Sequence, residues 1–160
     1  MNTDNHFDFS LSENFILIKE HANHREEIIR KLGALLYKQK FVKNSYVNAV
    51  LEREKVFPTG IATKVTGVAI PHTDSIHVKK SAIAIATLEN PISFDAMGYP
   101  GKTVDNVAVI MMLAIVDPKK IMNVIRLISK ILVDEDILNC ILHASNAQVL
   151  KKIFFDYLQK

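Results

Sequence analysis

The stretch VAVIMMLAIV, residues 107–116, is a run of ten apolar residues that is followed at once by Asp117 and Pro118. A strand that reads as a continuous apolar run is typical of the centre of a sheet that is covered on both faces. Asp117 suits a helix N-cap, and Pro118 suits the first helical position because its missing N–H is not needed there. The stretch therefore predicts a central buried strand that leads into a helix.

On either side of this strand, spacing and capping residues predict the remaining elements. Asn23 with Glu26, Asp134, and Ser145 with Gln148 resemble helix starts. With the helical spacing of apolar residues, they predict helices over residues 24–39, 45–54, from 117 onwards, 134–143 and 145–158. Short apolar runs predict strands over residues 15–19, 68–70 and 81–88. Residues 89–106 contain two prolines and two glycines, which predicts a loop or hairpin.

The order of these elements decides the fold class. Helices and buried strands interleave along the chain, which is the pattern of an α/β protein. We expect a central mixed β-sheet flanked by helices on both faces, a three-layer sandwich. A chain of 160 residues suits a single domain. We place that domain at residues 13–160, after a flexible N-terminal tail at residues 1–12.

Composition and charge exclude some classes of partner. Apolar residues make up 49% of the chain and charged residues 23%, which is the balance of a folded globular protein. The net charge is only +3, and the basic residues are spread along the chain. A nucleic-acid-binding protein usually concentrates them on one stripe, so we expect no nucleic-acid partner.

The cysteine count and the N-terminal sequence indicate a cytoplasmic protein. The single cysteine, Cys140, leaves no partner for a disulfide within the chain, which favours a reducing compartment. The N-terminal stretch MNTDNHFDFSLSEN lacks the basic and apolar regions of a signal peptide. A membrane-spanning helix needs about 20 apolar residues, so the ten-residue run is too short. We therefore expect no direct membrane insertion.

The stretch VAIPHTD, residues 68–74, carries the main chemical signal. Pro71 has a fixed φ and no N–H, and it restricts Ile70 to extended geometry. The side chain of His72 is thereby placed where the strand ends, which is a common position for functional groups in α/β proteins. Thr73 and Asp74 follow, and both can hydrogen-bond an imidazole or an attached phosphoryl group. Taken alone, one histidine after one proline is more often an ordinary surface-loop histidine.

A second stretch, LEREKVFPTG at residues 51–60, adds groups that suit an anion. Arg53 presents a planar cationic fork near the end of a predicted helix, a geometry that matches phosphoryl oxygens. The turn at residues 58–60 offers the hydroxyl of Thr59 and free backbone N–H groups. The alternatives are a solvated Arg53 paired with Glu52 or Glu54, and an ordinary turn.

Together, LEREKVFPTG and GVAIPH resemble the enzyme IIA family of the bacterial phosphoenolpyruvate-dependent sugar phosphotransferase system, mannitol/fructose type. The resemblance covers residues 13–160. It implies that His72 carries a phosphoryl group and that Arg53 lies in the active site. Thr59, Thr73 and Asp74 complete the expected site, with Asp74 either fixing the His72 tautomer or repelling the phosphoryl group. The protein would be a phosphotransferase that uses no cofactor and no metal.

The same resemblance implies the partners. The donor would be the phosphocarrier HPr, and the acceptor would be a cysteine of an enzyme IIB, which serves a membrane IIC component. The sequence departs from the mannitol pattern where a second active-site histidine would fall, because Lys120 occupies that position. This departure, with PHTD after the strand, is more similar to the galactitol-type subgroup.

Two other functions and one other site compete with this interpretation. A free-standing regulator of the nitrogen-type branch would use the phosphorylated histidine as a signal and would feed no transport. A binding module of the same fold would perform no chemistry, but His72 and Arg53 argue against it. A metal site at His72, Asp74 and His77 is improbable because H-x-D-x-x-H lacks the usual zinc spacings.

Overall fold

The computed structural model describes residues 8–159 as one α/β unit with five strands and five α-helices in that part of the chain. In chain order the elements are β1 (Ile16–Glu20), α1 (Arg25–Lys38), α2 (Tyr46–Val56), β2 (Gly60–Ile61), β3 (Gly67–Ala69), β4 (Ala82–Asp95), β5 (Thr103–Ala114), α3 (Ile121–Val133), α4 (Glu135–Leu142) and α5 (Ala147–Leu158). Short 3₁₀ turns lie at Glu13–Phe15, Ser75–His77 and Pro118–Lys120.

The sheet is mixed, with the strand order β1-β4-β5-β3-β2. β1 runs parallel to β4 and β3 runs parallel to β5, whereas the β4–β5 and β2–β3 pairs are antiparallel. β5 lies at the centre of this order, so the apolar run at residues 107–116 does supply a central strand. The expectation of a mixed central sheet is confirmed.

Helices cover both faces of the sheet. Along β4, Ala82, Ala84 and Ala86 pack in a core cluster with residues of α1 and α2. The alternate residues Ile83 and Ile85 pack in a second cluster with residues of α3, α4 and α5. Because successive side chains of a strand point to opposite faces, these two clusters are the two interfaces of a three-layer sandwich. The predicted architecture is confirmed.

Of the two alternatives predicted for residues 89–106, a loop or a hairpin, the structure shows the hairpin. β4 continues to Asp95 and β5 begins at Thr103, so the two strands extend as a long hairpin. Pro91 is exposed, and it lies where the strand register shifts between Thr87 and Ile92. Proline is tolerated at such an irregularity because no ladder hydrogen bond is required of it there. Only residues 96–102 form the connecting turn.

Two predicted helix caps are shifted by one residue. The N-cap of α1 is His24, whose ring nitrogen accepts from the N–H of Glu27, while the Glu27 carboxylate accepts from the N–H of Asn23. Asn146 is the cap of α5, since its side chain accepts from the N–H of Val149. The predicted cap Asp134 is confirmed by its bond to the N–H of Ile137.

The flexible tail expected at residues 1–12 extends too far, because its last residues are part of the fold. Phe9 and Leu11 are buried in the core, and the N–H of Ser10 donates to the carbonyl of Ser81 at 2.9 Å. Residues 8–12 therefore belong to the folded unit, and residues 1–7 lie outside the described residues. Within the part of the chain that the structure describes, none of the helices is long and apolar enough to cross a membrane.

Candidate functional site

His72 follows the end of β3, as the sequence predicts. Val68, Ala69 and Ile70 are buried, and Pro71 continues the strand's contact with β5 by accepting from the N–H of Leu113 at 3.0 Å. The chain is thereby held against the sheet until the residue before His72. The imidazole is half-buried at this edge.

The environment of the His72 ring favours one neutral tautomer. Its Nδ1 lies 2.8 Å from the carbonyl oxygen of Ile70, and because a carbonyl only accepts, Nδ1 carries the proton. Burial lowers the pKa of His72 below its usual value, and the nearby Arg53 cation lowers it further. The ring is therefore neutral at pH 7, and Nε2 keeps its lone pair. No hydrogen-bond partner of Nε2 lies within residues 8–159.

Arg53 lies beside His72 in the last turn of α2. Its guanidinium carbon is 5.0 Å from the centre of the Phe57 ring, a cation–π contact that restrains the side chain. Its Nη1 lies 3.8 Å from a carboxylate oxygen of Asp74, and its buried Nε has no hydrogen-bond partner in the described part of the chain. A cation with unused donors beside a neutral imidazole is suited to receive an anionic group.

A cleft of about 630 Å³ opens between two parts of the molecule at this site. One wall is the end of α2 with the turn that follows it, and the other is the β4–β5 hairpin turn. His72 and Arg53 line the cleft, together with the basic residues Lys55 and Lys102. The rim is apolar, since Tyr99 is 70% exposed and Phe57 is 60% exposed.

Thr59 is present at the site but its hydroxyl is already engaged. Its Oγ1 lies 3.0 and 3.1 Å from the two carboxylate oxygens of Glu54, and it also accepts from the N–H of Ile70 at 3.2 Å. Thr59 is 3% exposed. The hydroxyl expected to contact a phosphoryl group instead supports the backbone.

Glu54 is the residue that the sequence interpretation missed. From the sequence alone it is no more than an alternative ion-pair partner of Arg53, but in the structure it is buried beneath the turn that follows α2, while Glu52 pairs with Lys55 at 2.9 Å. A signal was available in the sequence. A carboxylate in the last turn of a helix faces the negative end of the helix dipole, so it needs compensating donors elsewhere.

Thr73 and Asp74 follow His72 but do not bond to its ring. Thr73 is buried, and the side chain of Asp74 is 76% exposed. The expectation that Asp74 accepts from the imidazole and fixes its tautomer is wrong, because the Ile70 carbonyl makes that contact. A carboxylate oxygen of Asp74 instead lies 3.8 Å from Nη1 of Arg53, which is a weak ion pair.

His77 and Lys120 have partners of their own. The Nδ1 of His77 lies 2.8 Å from the hydroxyl of Ser45, before the first residue of α2, whereas Arg53 lies near the end of that helix. The ammonium of Lys120 lies 2.9 Å from a carboxylate oxygen of Asp8. Among residues 8–159, no group of three histidine, cysteine or acidic side chains is placed to hold a metal ion.

A comparison with family models identifies the family of the chain. Residues 9–157 match the family "Phosphoenolpyruvate-dependent sugar phosphotransferase system, EIIA 2". The match covers nearly the whole chain, so the protein belongs to this family. Its members are phosphotransferases that act as phosphoryl carriers, and the resemblance drawn from the two motifs is confirmed.

Two curated relatives show the range of proteins that contain such a domain. The galactitol-specific EIIA component of Escherichia coli (strain K12) is 28% identical over 136 residues, which is 84% of this chain and 87% of the relative. The transcriptional regulator ManR of Bacillus subtilis (strain 168) is 35% identical over 79 residues, which is 49% of this chain but only 12% of that protein. The chain thus matches one relative over most of its length and the other over a small part.

A solved structure supports the fold. The complex of enzyme IIA Mtl with phosphorylated enzyme IIB Mtl from Escherichia coli contains a chain that matches with a TM-score of 0.73 and 23% identity. The match covers 92% of this chain and 99% of the other. At this identity the likeness establishes the three-layer fold.

Proposed function

We propose that this protein accepts a phosphoryl group on Nε2 of His72 from phosphorylated HPr and passes it to a cysteine of an enzyme IIB. The single observation that carries this proposal is the bond from Nδ1 of His72 to the Ile70 carbonyl beside Arg53. That bond leaves Nε2 as the nucleophilic nitrogen, at a cleft that contains a cation with unused donors.

In the first transfer, the lone pair of Nε2 attacks the phosphorus of a phosphohistidine on the donor. The new N–P bond forms as the old one breaks, and the donor imidazole leaves with the electron pair. Such transfers pass through a loose, in-line transition state in which the protein mainly positions groups and screens charge. Arg53 screens the phosphoryl oxygens, and the Ile70 carbonyl stabilises the positive charge that develops on the phosphorylated ring.

In the second transfer, the thiolate of the IIB cysteine attacks the same phosphorus and His72 leaves as a neutral imidazole. The protein chemistry needs no metal or cofactor, because both reactants are protein side chains. We propose that both partners dock on the apolar rim of the cleft in turn, in the cytoplasm, and that IIB serves a membrane IIC component.

The substrate class that we propose is a polyol of the galactitol type. It is supported by the likeness to the galactitol-specific EIIA component over most of both chains. It is also supported by Lys120, which stands where the mannitol pattern has a second histidine.

The decisive experiment is incubation with enzyme I, HPr and phosphoenolpyruvate, followed by intact mass measurement at neutral pH. We expect a gain of one phosphoryl group that His72→Ala abolishes and His77→Ala does not. Addition of a galactitol-type IIB should then remove the group. No gain by the unmodified protein would refute the carrier function and leave only a binding role.

A cellular measurement separates transport from the regulatory alternative. If the protein feeds transport, the phosphorylated fraction of His72 falls when the transported polyol is supplied. If that fraction instead follows the nitrogen supply and ignores every polyol tested, the transport role is refuted and the protein is a regulator.

A further inference from the structure

We infer that Glu54 and Thr59 are positioning residues, which hold the backbone of Ile70 and through it the His72 imidazole in its phosphoryl-accepting orientation. The inference deepens the proposed function and rests on it. It assigns a role to a buried carboxylate that the transfer chemistry itself does not use.

The carboxylate of Glu54 closes the turn that leaves α2. Glu54 is 4% exposed, and its Oε1 accepts from the backbone N–H of Thr59 at 2.8 Å. Both of its oxygens lie within 3.1 Å of the Thr59 hydroxyl. Within residues 8–159 no cation lies within salt-bridge distance of it. A buried carboxylate is costly unless it is hydrogen-bonded, and here the bonds come from one residue.

The hydroxyl of Thr59, which Glu54 holds in place, in turn holds the backbone of Ile70 through a hydrogen bond. A hydroxyl has one proton, and because a carboxylate only accepts, that proton is directed to Glu54. The oxygen of Thr59 is then available to accept from the N–H of Ile70, which lies at 3.2 Å. Ile70 in turn accepts from Nδ1 of His72 at 2.8 Å. Four residues thus form one continuous chain of hydrogen bonds.

The direction of each bond in this chain matters for the chemistry. Glu54 sets the direction of the Thr59 hydroxyl, the hydroxyl holds the N–H side of Ile70, and the carbonyl of Ile70 holds the proton on Nδ1. The lone pair of His72 is consequently kept on Nε2. If the chain is broken, the imidazole gains freedom to rotate and to move its proton to Nε2, the form that cannot attack phosphorus at that nitrogen.

The first test compares Thr59→Val with Thr87→Val as a matched control. Thr87 is 1% exposed, and its hydroxyl accepts from the backbone N–H of Lys19 at 2.9 Å. Both changes remove a buried hydroxyl that accepts from a backbone N–H, so both should lower the melting temperature. The readouts are the ¹⁵N spectrum of the His72 ring and the rate of phosphorylation by HPr.

We expect only Thr59→Val to change the ring spectrum, with a larger fraction of the Nε2–H tautomer. We also expect it to slow phosphorylation roughly tenfold, since that factor corresponds to the loss of one buried hydrogen bond. Thr59→Ser, which keeps the hydroxyl, should restore both. If Thr59→Val keeps the wild-type ring spectrum and rate, Thr59 is merely structural and the inference is wrong.

The second test uses Glu54→Gln and Glu54→Ala. Glutamine keeps one carbonyl oxygen, which can replace Oε1 as acceptor from both groups of Thr59, so Glu54→Gln should stay within about threefold of the wild-type rate. Glu54→Ala should be as slow as Thr59→Val. If Glu54→Gln is as slow as Glu54→Ala while Thr59→Val is fast, Glu54 acts through its charge and the inference fails. The tautomer measurement needs no donor protein, so it can succeed or fail independently of the proposed carrier function.

Discussion

The chain leaves the sheet at two neighbouring places, after β3 and after β5. Of these two, the place after β3 combines a cleft with hydrogen-bond donors of Arg53 that have no partner within residues 8–159. β3 and β5 are parallel neighbours, so both carboxyl ends lie at the same edge of the sheet. After β3, His72 lies beside Arg53, whose Nε has no partner within residues 8–159. After β5, the short turn Pro118–Lys120 presents Lys120, whose ammonium is paired with Asp8 at 2.9 Å.

This comparison teaches that a cation suited to bind an anion differs from a structural cation in how many of its hydrogen-bond donors are still without a partner. Both places combine a basic residue with an acidic one, Arg53 with Asp74 and Lys120 with Asp8. Arg53 is 34% exposed and its nearest carboxylate oxygen is 3.8 Å away, whereas Lys120 has a short contact that ties the N-terminal segment to the sheet. An anion arriving at the first place gains bonds that are otherwise unmade. At the second place it would have to displace Asp8.

The largest effect that would test this difference is expected from Arg53→Ala. Removing the guanidinium should slow phosphorylation of His72 by about 100-fold, since it removes the main charge-assisted contact to the phosphoryl group. The melting temperature should change little, because the contacts of the Arg53 side chain within residues 8–159 are a cation–π contact and a weak ion pair. The measurement is the rate of phosphoryl gain by intact mass.

Arg126→Ala on α3 is the matched control for charge, since Arg126 is exposed and, within residues 8–159, its side chain hydrogen-bonds to Asn123 alone. It should keep the wild-type rate. Arg53→Lys should recover only part of the rate, because an ammonium lacks the planar fork. If Arg53→Ala unfolds the protein, Arg53 is a structural cation like Lys120, and the distinction between the two places is wrong.

The pH dependence of His72 phosphorylation gives a second way to compare Arg53 with Lys120. Burial and the Arg53 cation both lower the pKa of His72, while the Ile70 carbonyl and Asp74 oppose this. Only the neutral ring is a nucleophile, so the rate should stay constant as the pH falls through 6.5, the ordinary histidine pKa, and should decline only at lower pH. An NMR titration of His72 gives the same midpoint directly.

Arg53→Ala should move this midpoint upward, because the cation that opposes protonation is gone. Lys120→Ala should leave it where it is in the wild-type protein. A wild-type midpoint at or above 6.5 would contradict the burial argument for His72. An equal shift in both variants would show that Lys120 also acts on the ring.

The sequence predicted the fold, and it also predicted that His72 follows a short strand and that Arg53 lies near the end of a helix, for identifiable reasons. The apolar run at residues 107–116 and the helical spacing around it depend on local periodicity, which survives in the structure. His72 was placed by Pro71 and a short strand, again a local feature. By contrast, the bonds of Glu54 and Thr59, and the carbonyl that fixes the His72 tautomer, depend on how the turn after α2 packs against β3. Such contacts between distant backbone segments leave no periodic signal.

A smaller effect is expected from Asp74→Asn. Asp74 is exposed and lies near both the Arg53 guanidinium and the His72 ring, where its charge competes with a phosphoryl group for Arg53 and raises the pKa of His72. Its neutralisation should speed phosphorylation about twofold, since exposed charge pairs contribute little. Glu52→Gln, which removes an exposed carboxylate on α2 paired with Lys55, is the control. A slower Asp74→Asn variant would mean that Asp74 orients Arg53 and does not compete for it.

The smallest effect is expected from Lys120→Ala. The resemblance to the mannitol pattern predicts that Lys120 falls where a second histidine would stand, but its partner is Asp8, which also raises the pKa of Lys120. Phosphorylation should therefore stay within about twofold of the wild-type rate, because exposed ion pairs contribute on that scale.

Asp8→Asn separates a structural role of Lys120 from a role in contacting the phosphoryl group. It frees the ammonium, so a Lys120 that can reach the phosphoryl group would then speed transfer, whereas a purely structural Lys120 would leave the rate unchanged. A loss in Lys120→Ala as large as that in Arg53→Ala would mean that Lys120 has taken over the role of the missing histidine, because an ion pair that only tied down residue 8 could not affect the chemistry so strongly.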